Sequence, residues 1–343
     1  MRRLSLLFLL FLIIYSGYAQ KICGRVTSAE GEPMPYATVF IESLNQGTIS
    51  NENGHYTLDG IKSGRYKVKA SFIGHKTQIA DITISDSDES LDFVMPEESV
   101  TLSEVIVLPG DMDICSYIIT QIDKNRKQLK KLLNHYDCYV TSRFHKDMDL
   151  SNIKRRRTIR FALSMVGWGK IFDTMIKYPS LTVRMGENTH FNKGNISNDG
   201  LQIIETNPTL TDKEIQAFKN KDWFLDANSY DKFYDMVHNG IKQVKKKKNN
   251  TDLSYYGSYE EDNRTIFILK YGNAQIEVVD ECWQIRRIKY KNGPQNLYFE
   301  FYEAHPNVFL PISGSADIDI NAEKRRMKGT VKLGISYKYS GVR

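Results

Sequence analysis

Seven histidines are spread along this chain: His55, His75, His135, His145, His190, His238 and His305. A histidine-bound zinc site on a helix needs His-Glu-x-x-His, and another common arrangement opens with His-x-x-Glu, because these spacings put two ligands on one side of the backbone. None of the seven stands in either pattern. Cys23, Cys115, Cys138 and Cys282 show neither a metal spacing nor a Cys-x-x-Cys redox pair. Four cysteines allow three disulfide pairings in an oxidising compartment, and structural or free thiols are the simpler reading. Asp280 and Glu281 are adjacent, so a strand would point them to opposite faces, a poor arrangement for an acid/base pair. Gly167-Trp168-Gly169-Lys170 lacks the spacing that cradles phosphates and reads as the end of a strand. The chain contains no Gly-x-Ser-x-Gly elbow. The side chains thus predict no catalytic, metal or cofactor-binding group, and the expectation is a protein that is not an enzyme.

The elements around these residues begin with a leader. Arg2 and Arg3, the apolar run Leu4 to Ile14 and the small-x-small triplet Gly17-Tyr18-Ala19 have the layout of a secretory signal over residues 1–19, cut before Gln20. A span needs about 20 apolar residues, more than this run supplies. Gln20-Lys21-Ile22 lacks the small residue that a lipid-modified Cys23 would want before it. Export makes nucleic acid an improbable partner. Of the 47 Lys and Arg, 45 remain after cleavage against 41 acidic residues, a net of +4. Arg155-Arg156-Arg157 and Lys245 to Lys248 read as solvated strand ends or loops, with contact to anionic headgroups or surface glycans as the functional alternative.

From Cys23 to Val107 short strands alternate with turn signals. Tyr66, Val68, Ala70 and Phe72 interleave with Lys67, Lys69 and Ser71; Ala37, Val39 and Ile41 form a second apolar face, and Ile82 with Ile84 a third. Asn53-Gly54 suits the positive φ of a tight turn, predicting that Ile49 pairs with Tyr56–Leu58 across it. These short strands predict a β-sandwich. Gly24-x-Val26, Gly31-x-Pro33-x-Pro35-x-Ala37-x-Val39, Gly47-Thr48, Asn53-Gly54-x-Tyr56, Gly64-x-Tyr66 and Ser71-Phe72-Ile73-Gly74-His75 follow one another in order. This succession resembles the carboxypeptidase regulatory-domain-like family, a transthyretin-like Greek-key sandwich, with Leu102-Ser103-Glu104-Val105-Ile106-Val107 as its closing strand. In zinc carboxypeptidases that sandwich is an appendage to the catalytic domain, so the resemblance implies folding support or protein contact. The domains expected are therefore 1–19, 20–108 and 109–343.

After Pro109-Gly110-Asp111, Asp113 can cap a helix to about Leu133 with Ile114, Tyr117, Ile118, Ile122, Leu129 and Leu133 on one face. "HYDCYVTSRFHK" and "RRRTIRFALSMVG" read as strands. Thr211-x-x-Glu214 is a capping box, Ser229 to Asn239 a second short helix, and "KKKKNNTD" a loop. Asp173-Thr174-Met175 resembles an O-glycosylation motif of exported bacterial proteins. From Tyr255 onward a meander follows: "RTIFILKY", "AQIEVVD", "CWQIRRIKY", "LYFEFYEA", "LPISGSADIDI" and "MKGTVKLGISYKY". The fold class expected is mainly β, with an α+β second domain in which a helix packs on a curved antiparallel sheet.

Tyr117, Ile118, Ile119, Asn125, Tyr136 and Cys138 resemble the region after the sandwich in a class of Gram-negative surface proteins of uncharacterised function. That class continues into an outer-membrane barrel, which is not expected here. "EVVDECWQIRRIKY", with its Asp280-x-x-Trp283 turn, is similar in cadence to the half-barrels of periplasmic lipoprotein carriers. That likeness implies a candidate apolar groove lined by Ile118, Ile122, Ile266, Ile268, Ile276 and Val278. The expected function is a non-catalytic exported binding or assembly module at the periplasm or outer membrane, whose partner is an envelope protein or outer-membrane component. The alternatives are a carrier of a lipid or other apolar ligand and an exported hydrolase.

Overall fold

The computed structural model describes residues 20–72, 75–85, 87–97, 114–132, 135–165, 168–193, 195–220, 253–261, 263–293, 295–322 and 327–341. The leader, the 102–107 strand, the Ser229–Asn239 helix, the Lys245–Lys248 run and the expected boundary near 108 lie outside them. Two compact units result: Met1–Leu44 with Ser50–Glu97, and Asn45–Ile49 with Glu98–Arg343. Among the described residues no helix is long and apolar enough to cross a membrane.

The first unit is a β-sandwich. Its strands are β1 (Gln20–Ser28), β2 (Thr38–Ile41), β4 (His55–Ile61), β5 (Gly64–Ser71), β6 (Gln78–Ile84), β7 (Glu89–Ser90) and β8 (Phe93–Met95); β3 (Gln46–Ile49) is counted with the second unit. One layer sets β1 against β4 antiparallel and against β7 and β8 parallel, while the other runs β2–β5–β6. Ile22, Val26, Val39, Ile41, Leu58, Val68 and Ala70 bury between the layers. The alternation predicted along 66–72 holds on β5 as far as Ala70, with Val68 and Ala70 buried and Lys67 exposed, but it breaks at Ser71, which is buried while Phe72 is only half-buried. On β2 it does not, because Thr38 and Phe40 are buried as well.

Gly54 has the expected positive φ, +79°, in a turn fastened by Asn51, whose Oδ1 accepts from the amides of Asn53 and His55. The pairing differs from the expected one. Tyr56 lies opposite Gly24 and Leu58 opposite Ile22, so β4 zips onto β1 and not onto the strand holding Ile49. The turn chemistry sets the reversal, and Leu58 and Tyr56 bury with Ile22 and Val26 in the core between the layers.

In the second unit, helix α1 (Ile114–Leu132) is followed by β9 (His135–Met148), α2 (Arg156–Met165), α3 (Gly169–Lys177), β10 (Ser180–Asn192), β11 (Asn195–Asn198), β12 (Gln202–Asn207) and α4 (Asp212–Lys219). The meander then runs through β13 (Leu253–Glu261), β14 (Arg264–Tyr271), β15 (Ala274–Val279), β16 (Gln284–Asn292), β17 (Gln295–His305), β18 (Val308–Ala322) and β19 (Met327–Ser340), each antiparallel to the next. β9 lies between β19 and β10, which extends the curved sheet. The Thr211/Glu214 capping box is present at α4 with both reciprocal bonds.

Three expectations in this region are corrected. "RRRTIRFALSMVG" holds a helix, not a strand. Ile159 and Leu163, four apart, pack on Met148, Leu150, Ile153, Phe172 and Ile176, and that contact outweighs the alternation of Ile159, Phe161, Leu163 and Met165. Trp168 and Gly169 begin α3 instead of ending a strand. Thr174 is buried inside α3 with its hydroxyl donating to the Lys170 carbonyl, so the fold leaves no accessible acceptor for a glycan there.

A lysine fastens α3 to the sheet. Lys146 is fully buried, and its ammonium donates to the carbonyls of Met148 (2.5 Å), Met175 (2.9 Å) and Pro179 (2.8 Å). Burial lowers its pKa to about 8, against the pull of Asp149 and Asp147. Lys146→Met should therefore cost about 2 kcal/mol near neutral pH, through carbonyls left unsatisfied. Below pH 8 both states of the wild type hold the proton. Between pH 8 and the ordinary lysine value of 10.5 only the unfolded chain does, so wild-type stability should rise over that window. Denaturant titrations of both proteins across the window check the loss and the disappearance of the rise.

Candidate functional site

The predicted groove residues sit where α1 meets the meander. β14 and β15 are joined by the two residues Gly272-Asn273, which set Tyr271 opposite Ala274. Partners across that turn then have opposite parity: Leu269 faces Ile276, Phe267 faces Val278, and Ile268 faces Glu277. Ile118 and Ile122 of α1 bury in one cluster with Ile276, Val278, Phe267, Leu269, Ile285 and Ile288. Ile266 joins this cluster opposite Val279 at the strand end, whereas Ile268, although buried, does not belong to it. The six expected residues therefore do not share one lining. Five, all but Ile268, come together as packed side chains, and an apolar ligand would have to part them to enter.

The Asp280-x-x-Trp283 turn is present and ties the helix down. Glu281 and Trp283 both have positive φ, +64° and +53°, and the Trp283 indole stacks on Phe267 at 5.7 Å and meets Tyr117 edge-on at 5.4 Å. Asp280 and Glu281 thus lie in a turn and not on a strand.

Ile285 and Ile288 are three residues apart and could not share a face of a regular strand. A bulge resolves this: Glu277 faces Arg287 while the next residue, Val278, faces Ile285, which leaves Arg286 as the extra residue. Both isoleucines then meet α1, and Arg287 is placed on the opposite face. There Arg287 lies between two carboxylates, 3.2 Å from Glu277 and 3.4 Å from Glu300, and all three are buried. The Tyr259 hydroxyl donates to Glu277 (2.9 Å), the Tyr298 hydroxyl to Glu300 (3.1 Å), and Lys289 stands 3.5 Å from Glu277. Arg286 pairs with Glu261 beside them. Burial pushes the Glu277 carboxyl up, but Arg287, Lys289 and the Tyr259 hydroxyl outweigh it and hold it below the ordinary carboxylate value. Burial and the Glu277 charge raise Tyr259 in turn. With two carboxylates facing two cations, the group is electrically balanced. A carboxylate held ionised in this way is a poor proton donor, and the balanced pairing across neighbouring strands holds their register.

A second polar group stands on the outer face of β9 and β10. His190 Nδ1 lies 2.7 Å from Asp137 and Nε2 3.3 Å from Asp199, and the hydrogen bond to Asp137 raises the imidazole pKa above its ordinary value. A cavity of about 260 Å3 beside it is bordered by Tyr139, Asn188, Lys338 and Ser340. The carboxylates grip opposite edges of the ring, so they do not converge on a shared point with it, and among the described residues no group of three His, Cys, Asp or Glu could hold a metal ion. Cys138, next to Asp137, turns inward to the core, where burial raises its thiol pKa. Cys282 lies in the core under α1 with Cys115, and Cys23 is exposed on β1. Neither polar group shows a local sequence signal, because strand pairing joins residues of different strands, as it does Asp137 with His190 and Tyr259 with Glu277.

In comparisons with known proteins, the model of the CarboxypepD_reg-like domain matches residues 22–107. Those residues form that domain. Structural protein 27 of a virus (isolate Australia/Victoria) is 32% identical over 82 residues, covering 24% of this chain and 16% of the viral protein, so the match spans about a sixth of that relative's length. Among solved structures, a type II cohesin–X-dockerin complex from Acetivibrio cellulolyticus is 18% identical, covering 31% of this chain and 73% of that one at a TM-score of 0.21. A DUF1329 family protein from Desulfovibrio piger is 10% identical, covering 68% of this chain and 93% of that one at a TM-score of 0.24. At those scores neither structure bears on function.

Proposed function

We propose that this chain is a non-catalytic, exported binding or assembly module of the cell envelope, in which residues 20–108 contact a partner protein and residues 109–343 form the body that carries them. The observation supporting this most is the CarboxypepD_reg-like domain at 22–107, a regulatory and binding sandwich with no chemistry of its own. The electrically balanced network around Arg287 and the packed face under α1 agree with a structural body. Export rests on the charged start, apolar run and Gly17-Tyr18-Ala19 triplet. N-terminal sequencing of the protein from its own host tests that part. A chain starting at Gln20 is expected; an intact Met1, or a lipid on Cys23, would defeat it.

A further inference from the structure

Helix α2 has no buried residue. Only Ile159 and Leu163 are partly covered, on the side that packs against the cluster of Met148, Ile153 and Phe172. At about 100° per residue, Phe161 and Met165 point away from that side. They are 67% and 74% exposed, with exposed Thr158 and Ala162 beside them. Together, four residues apart on one side of the helix, they form a small outward apolar patch rimmed by polar residues. The charge around them is one-sided, since six basic and no acidic residues occur from Lys154 to Lys170. Arg160 turns to Asp173 at 2.7 Å, and Lys154, Arg155, Arg156 and Arg157 stand exposed at the head of the helix.

We propose that α2 docks on an anionic lipid surface, with Phe161 and Met165 entering between headgroups and Lys154 to Arg157 lying on their phosphates. Two apolar side chains on a ten-residue helix are far too little for a stable protein interface, which takes about 800 Å2 per partner. The same pair, with four exposed cations at the head of the helix, has the layout of a helix lying in a membrane interface. The proposal reaches beyond the envelope reading by naming the face and the lipid charge, and it does not depend on cleavage before Gln20.

Co-flotation of the purified protein tests it, with vesicles of phosphatidylcholine alone and with about 30% phosphatidylglycerol. The protein should float with the anionic vesicles only, and be released when salt is raised to about 0.5 M. Phe161→Ser with Met165→Ser, and separately Arg155→Ser with Arg156→Ser and Arg157→Ser, should each lower the bound fraction about tenfold. These positions are exposed, so the thermal midpoint should stay unchanged in both variants. Equal flotation with neutral vesicles, no flotation at all, or wild-type flotation of the Phe161/Met165 variant would overturn the proposal. So would sedimentation showing a dimer that this variant dissociates, because the face would then join two copies of the chain.

Discussion

Arg287→Leu is expected to destabilise the second unit by about 3–5 kcal/mol, because it leaves two buried carboxylates without the cation between them. The pH dependence identifies the cause. In the wild type Glu277 is held below the ordinary carboxylate value, so its contribution is complete above the unfolded value of 4.5 and fades as pH falls through the lower, folded one. Without Arg287, burial dominates and the Glu277 pKa rises above the unfolded value. The variant should then recover stability relative to wild type as pH falls through that raised value toward 4.5, where the buried carboxyl accepts a proton. Removing the charges together, with Glu277→Leu and Glu300→Leu added to Arg287→Leu, should restore much of the loss, since an apolar cluster of similar volume is tolerated where a lone buried charge is not. Chemical denaturation of the three proteins between pH 4 and pH 8 measures all of this. A loss that is the same at every pH would assign the effect to packing.

The second large effect belongs to the sandwich. Gly24→Ala should destabilise that unit by about 3 kcal/mol, near the upper end for overpacking. A Cβ there would stand 1.8 Å from the Leu91 carbonyl oxygen and 3.0 Å from the Tyr56 ring. Leu91 cannot easily retreat. Its amide donates to the Cys23 carbonyl at 2.9 Å, and its carbonyl accepts from the Tyr56 hydroxyl at 2.6 Å. Gly31→Ala makes the comparison: φ is +85° but nothing lies within 4 Å, so only the backbone cost of about 1 kcal/mol applies. Thermal unfolding of the two variants should rank them in that order, and equal losses would remove the close approach as the reason for glycine at 24.

Much of the fold was legible in the residues because local signals agreed with tertiary packing. The meander strands from "RTIFILKY" to "MKGTVKLGISYKY" stand where alternation and turns put them, and the Thr211/Glu214 box caps its helix. The strand expected at "RRRTIRFALSMVG" failed because its apolar residues satisfy both periods, and only the contact of Ile159 and Leu163 with the core chooses between them. The groove residues were assigned without register. Ile268 looked equivalent to Ile276 until the two-residue turn at Gly272-Asn273 put it opposite Glu277. The network around Arg287 was hidden for a different reason. Its members come from β13, β15, β16 and β17, and it needs a bulge at Arg286 that no local motif announces.

The proposed role, a non-catalytic exported module that holds a protein partner, is tested by native mass spectrometry of the protein isolated from the envelope of its host after a salt wash. The expected result is a mature chain beginning at Gln20 in a stoichiometric complex with an envelope protein, carrying no retained lipid. A solitary chain, or one holding a lipid molecule that only organic solvent removes, would contradict it.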